Sequence, residues 1–191
     1  MLIPHTIMKN IIVGFISPHG MTDYIHAKKY GYLTQLYQIN INTMAAGGFC
    51  HFIHADSIVH GAFLISSVIH FRNDMPLISY KNINGKQMQL LMSTMLVTSM
   101  HNFPPEYFLL YLSCIHTPNH YRLAWDYIKD NLKETLFLVL GIGFLLTQIN
   151  YSGVLEMNAI DPIFITLIET LVISHIIYQE KFVFAEFTKL F

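Results

Sequence analysis

The sequence predicts an all-α protein, a polytopic transmembrane bundle of about seven helices forming a single integral membrane domain over residues 1–191. Three observations carry that expectation. The chain is 53% apolar and only 12% charged, whereas soluble domains typically hold about 25% charged residues. Its mean hydropathy is +0.42. The apolar residues also fall in runs approaching the roughly 20 residues that span a bilayer, separated by stretches that hold most of the charge.

Leu2–Ser17 is the first segment. It is short and contains Lys9, whose ammonium must snorkel to reach water. Lys9 is the only Lys or Arg ahead of the apolar stretch that begins at Ile11, and no small-residue cleavage site follows that stretch, so the segment reads as a retained helix rather than a signal peptide. Tyr32–Ile53 carries Gln35, Gln38, Asn40 and Asn42, which must face other helices or the interface. Ala55–Phe71 is short and largely apolar apart from Asp56, His60 and a few hydroxyls. Lys86–Phe103 and Pro105–Tyr121 are split by Pro104-Pro105, which fits a tight turn with Pro105 opening the next helix. Glu134–Ser152 and Ala159–Tyr178 are the clearest segments, each about the length of a span. Internal repeats, low-complexity tracts and linkers between domains are not evident.

The basic residues give an independent check on this layout. Lys28 and Lys29 lie between segments one and two, and Arg72, Lys81 and Lys86 between three and four. Arg122, Lys129 and Lys133 lie between five and six, and Lys181 and Lys189 follow segment seven. Ten of the eleven Lys and Arg residues therefore share one side. The positive-inside rule makes that side cytoplasmic, with the N-terminus outside and the C-terminus inside. A formal net charge of −1 argues against a nucleic-acid partner. Cys50 and Cys114 have no metal-type spacing and read as free thiols.

The same layout sorts the histidines. His19, His70, His116, His120 and His175 come at or near the cytoplasmic ends of segments one, three, five and seven. His51, His54 and His101 fall at the opposite edge, and His60 lies about 15 Å along its helix from His70. Ionisable groups at membrane depth are costly and mark function, and neutral imidazole is the commonest protein ligand for redox metals. Several in one layer point to a metal centre.

His116 and His120 are four residues apart, which stacks both rings on one face of an unbroken helix. Pro118 between them predicts a kink or an end to that helix. In Pro18-His19-Gly20-Met21-Thr22-Asp23 the helix is expected to break at the histidine, with Asp23 accepting a proton from its other ring nitrogen. Asp74, four residues after His70, stands in the same relation to it, or else is a solvated loop charge. His175 reads as a further ligand, a substrate-pocket residue or a histidine bonded to a neighbouring Ser or Thr, with the last two favoured. His51, His54 and His60 read as polar lining or surface, or less readily as a second metal site. Glu169 is a mid-helix carboxylate whose partner the sequence does not name. The chain has 14 Phe and 11 Tyr, mostly core and interface, of which Tyr107, Phe108, Tyr111, Phe137, Phe144 and Phe164 are candidates to line a tunnel for a long apolar ligand.

These motifs, in this order, resemble the Brp/Blh family of membrane β-carotene dioxygenases. Its Pro-His-Gly-x-x-Asp element is matched by Pro18–Asp23, and its His-Phe-x-x-Asp-like element is approximated by His70-Phe71-Arg72-Asn73-Asp74. Its His-x-Pro-x-His element is matched by His116-Thr117-Pro118-Asn119-His120, and a late His before apolar residues by Ser174-His175-Ile176-Ile177. Two departures stand: the chain is shorter than typical members, and Arg72-Asn73 replaces small residues. The resemblance implies an Fe(2+) centre on His19, His70, His116 and His120, with Asp23, Asp74 and His175 around the ligands or the substrate. It also implies central cleavage of β-carotene, or a related carotenoid, with O2 to give retinal. Implied partners are the lipid bilayer that dissolves the substrate and a retinal-binding rhodopsin as product acceptor.

The alternative is a b-type haem electron carrier, which would use deep pairs such as His60 with His101. A retinal-binding rhodopsin is disfavoured, because segment seven has no buried lysine for a Schiff base.

Overall fold

The computed structural model describes residues 17–75, 86–99, 107, 110–151 and 162–184, and these are all-helical. A 3-10 turn, Ser17–Gly20, leads into α1 (Met21–Tyr30). Then come α2 (Leu33–Phe52), α3 (Asp56–Phe71) and α4 (Lys86–Ser99). They are followed by α5 (Thr117–Ile128), α6 (Leu132–Tyr151) and α7 (Pro162–Tyr178). The expected segment two, Tyr32–Ile53, and segment three, Ala55–Phe71, match α2 and α3 to within one residue at each end. The first segment, apart from Ser17, and the Pro104-Pro105 turn lie outside the described residues.

The transmembrane part of the expectation is overturned. Among the described residues no helix is long and apolar enough to cross a membrane. Crossing about 30 Å of hydrocarbon takes roughly 20 apolar residues, and α3, α4, α5 and α7 have 16, 14, 12 and 17. α2 reaches 20 residues but is interrupted by Gln35, Gln38, Asn40 and Asn42. α6 also reaches 20, with Lys133 and Glu134 in its first turn. The multi-pass localisation, with its outside N-terminus and cytoplasmic C-terminus, falls with the spans. Three of the lysines behind the charge asymmetry form ion pairs within the fold. Lys28 pairs with Glu134 and Lys29 with Asp130, both at 2.7 Å, and Lys129 pairs with Asp126 at 2.8 Å.

Two connections differ from expectation for identifiable reasons. The stretch between segments one and two folds as α1, since Thr22, Asp23, Ile25, His26 and Ala27 form a buried face. Gly31, at φ 79°, closes that helix in the left-handed conformation that favours glycine. Pro118 does not end its helix. A π-turn, Leu112–His116, precedes it, so Pro118 falls at the first turn of α5, where a missing N–H costs little.

α7 packs chiefly against α2 and α3, α3 against α4, and α1 against α5. At Gly47 a Cβ would collide with the Thr170 side chain, so α2 and α7 approach closely only because that position is glycine. Three apolar clusters hold the layers: Ile25, Ala124, Tyr127 and Ile128; Ala27, Leu36, Tyr178 and Val183; and Phe71, Met75, Val97 and Tyr111. Each large side chain buried there contributes about 1.5–3 kcal/mol.

Many large apolar side chains stay outside these clusters. Phe52, Phe137, Phe144 and Ile65 are 80%, 78%, 68% and 66% exposed. Exposure on this scale leaves these side chains uncovered by the described residues. It also corrects the tunnel expectation, because Phe137, Phe144 and Tyr107 face outward. Tyr111 is buried and bonded to Asp74, and the side chains of Phe108 and Phe164 lie outside the described set.

Candidate metal centre

Five imidazoles meet where four parts of the chain converge. His19 comes from the 3-10 turn, His70 from the end of α3, and His116 and His120 from the π-turn and the start of α5. His175 comes from the last turn of α7. His116 and His120 have ring centroids 4.4 Å apart. His19 lies 5.4 Å from His116, 5.1 Å from His120 and 5.0 Å from His175. His70 lies 5.1 Å from His116, 5.0 Å from His120 and 5.5 Å from His175. The five histidines expected in one layer are together, His175 among the four expected as ligands.

Three of the rings are held by carboxylates at Nδ1. His116 Nδ1 bonds Asp74 Oδ2 at 2.7 Å, and Asp74 also accepts from Tyr111 Oη at 2.6 Å and Asn119 Nδ2 at 2.7 Å. Arg122 Nη2 donates to Asn119 Oδ1 at 2.9 Å, fixing the amide. His175 Nδ1 bonds Asp23 Oδ2 at 2.7 Å, and Gln179 Nε2 donates to the other Asp23 oxygen. His70 Nδ1 makes a longer contact, 3.4 Å, with Glu180 Oε1. Asn73 Nδ2 donates to that oxygen at 2.6 Å, and Arg72 lies 3.7 Å from Oε2. A carboxylate on Nδ1 fixes the tautomer and turns Nε2 inward, the arrangement that supports metal-bound imidazole.

The inward atoms fit that role. His70 Nε2 and His175 Nε2 are buried and have no hydrogen-bond partner among the described residues, a state costing about 1–3 kcal/mol per group unless something binds there. Burial, and then the neighbouring histidines, hold His70 and His120 well below the usual imidazole range. Both therefore present neutral, ligating nitrogens at pH 7. Burial pushes Glu180 up to about 7, against the pull of Arg72 and Asn73. Burial, and then Asp74, push the Tyr111 hydroxyl up, so it stays a donor.

The carboxylates are not matched to histidines as expected. Asp23, expected beside His19, holds His175, and Asp74, expected beside His70 or in solvent, holds His116. A spacing of four suggested each local pair, but α1 turns Asp23 toward α7, and the 3-10 turn Arg72–Asp74 swings Asp74 toward the π-turn. Sequence spacing does not point to Glu180, Gln179 or Asn119. The signal for Glu180 was a lone carboxylate five residues beyond His175 in an apolar stretch. It reaches the centre because α7 continues as a second π-turn, Gln179–Val183. Both π-turns carry site residues, a common placement for such bulges. The Arg72-Asn73 departure also has a structural role, since both side chains fix Glu180.

His51, His54 and His60 stand apart. His51 Nδ1 bonds Asp56 at 3.0 Å, His60 Nδ1 bonds Glu169 at 2.6 Å, and exposed His54 takes φ 57° in the turn between α2 and α3. Glu169 thus has its partner. Among the described residues these three histidines do not gather their donor atoms around one point.

No family model matches the chain, and neither a curated protein nor a solved structure is detectably similar to it.

Proposed function

We propose that this chain is a non-haem iron(II) oxygenase of the Brp/Blh type, cleaving β-carotene or a related carotenoid at its central double bond. The observation that carries the reading is the convergence of buried imidazoles whose Nδ1 atoms are held by carboxylates. His19, His70, His116 and His120 would hold the iron, with His175 beside them. Bound there, iron(II) would supply O2 activation, which needs neutral ligands and open coordination positions. The reaction balances without an added reductant: one C=C breaks, two C=O bonds form, and each retinal receives one oxygen atom.

The protein's part is orientation and exclusion of water. Asp74 holds His116 in one tautomer, and Asn119 and Tyr111 keep Asp74 from turning away. Phe71, with its ring 4.9 Å from His116, and Phe184, 6.0 Å from His70, give the centre apolar walls suited to a polyene. The exposed apolar side chains of α2, α3 and α6 are where a lipid phase carrying the substrate would meet the chain. A retinal-binding rhodopsin would take the product.

The test is to supply the iron-loaded protein with β-carotene and labelled O2. Retinal carrying the label supports the reading, and loss of carotene without retinal, or no turnover, overturns it. Among the described residues nothing favours the b-type haem alternative. His60 is bonded to Glu169, and His101 lies outside the described residues.

A further inference from the structure

We propose that the histidine cluster binds two metal ions, arranged as two triads bridged by His120, which gives up its ring N–H proton to solvent as the second ion binds so that Nδ1 ligates one ion and Nε2 the other. The inference rests on reading the cluster as a metal centre, and it changes what that centre holds. Five histidines on one six-coordinate ion would leave it a single open position for reactants.

Geometry divides the donors. Ligand atoms of His19, His120 and His175 lie within 4.8 Å of one another, and so do those of His70, His116 and His120. The five do not form one such group. Imidazole nitrogens bound to one first-row ion sit about 2.0–2.1 Å from it, so two ligands on opposite sides are roughly 4 Å apart. Each triad keeps its donors within 4.8 Å, a span that a small inward shift brings to that separation, and the five donors together exceed it.

Each triad also has its own orienting carboxylate. Asp23 holds His175 in the first, and Asp74 holds His116 in the second, where Glu180 approaches His70. A single four-histidine centre would leave the Asp23–His175 pair, with Gln179 locking it, without a purpose. It would also leave His175 Nε2 buried and unbonded. Seating an ion in each triad occupies both inward nitrogens, His70 Nε2 and His175 Nε2.

The test is a count. Full-length protein stripped of metal is titrated with cobalt(II), and bound metal per chain is measured by elemental analysis and by the cobalt ligand-field bands. The expected result is two cobalt ions per chain, with spin coupling between them. His175→Ala should lower the count to one, and His70→Ala should also lower it to one by emptying the other triad. The unmodified protein decides the matter even if a variant fails to fold. One ion per chain overturns the two-ion centre and leaves the oxygenase reading standing, whereas no bound cobalt overturns both.

Discussion

His116 Nδ1 and Asp74 Oδ2 are 2.7 Å apart, and that contact joins the π-turn before α5 to the 3-10 turn after α3 across 42 residues of sequence. Asp74 is 1% exposed, and its two oxygens serve three donors. It therefore ties two elements together while setting the direction of one imidazole.

Replacing Asp74 with Ala should weaken metal binding about 10–100-fold, the usual cost of losing the group that orients a ligand. Tyr111 and Asn119 would each lose an acceptor, so stability should fall by about 1–3 kcal/mol. Metal titration and denaturant unfolding of the same variant check the two effects separately.

His116→Ala should remove carotene cleavage and at least one bound metal ion, because the nearby His175 is tied to Asp23 and cannot take the place of the lost imidazole. His51→Ala should leave both unchanged. His51 bonds Asp56 at the start of α3, about 21 Å along that helix from His70 at 1.5 Å per residue. Retained metal and activity in His116→Ala, with loss in His51→Ala, would move the centre elsewhere.

Gly47→Val should destabilise the fold by about 1–3 kcal/mol, the typical cost of forcing atoms into a filled contact. The added carbons would meet Thr170, whose hydroxyl is committed to the Thr166 carbonyl at 2.5 Å. A lowered melting temperature with unchanged metal stoichiometry is the expected pattern.

Metal should stabilise the protein as a ligand specific to the folded state. At free iron(II) about 100-fold above the dissociation constant the gain is about 2.7 kcal/mol. The melting temperature should rise on adding iron(II) and fall on chelation. An unchanged melting temperature would contradict a folded-state metal site.

Acid should affect the α2–α3 turn through Asp56. Hydrogen bonds from Thr166, and then His51, hold its carboxyl below 3.8. A carboxyl lowered in the folded state contributes stability above its unfolded value and loses it as pH falls through the lower folded one. Thr166→Val should move the Asp56 titration upward, as read from its carboxyl chemical shift.

The sequence by itself determined the helical class, the bounds of α2 and α3, and the five histidines at segment ends. These rest on local signals: the length of apolar runs, and polar residues where the runs stop. It misjudged the setting of those helices, since composition and charge placement cannot separate an apolar helix that crosses a bilayer from one too short or too interrupted to do so. Only the tertiary structure decided which carboxylate serves which histidine. Asp23 with His175 and Asp74 with His116 are pairings between distant elements, set by where each helix face points. The two π-turns settled that direction at His116 and Glu180. A one-residue widening of a helix turn re-aims side chains and leaves no periodic mark in the sequence.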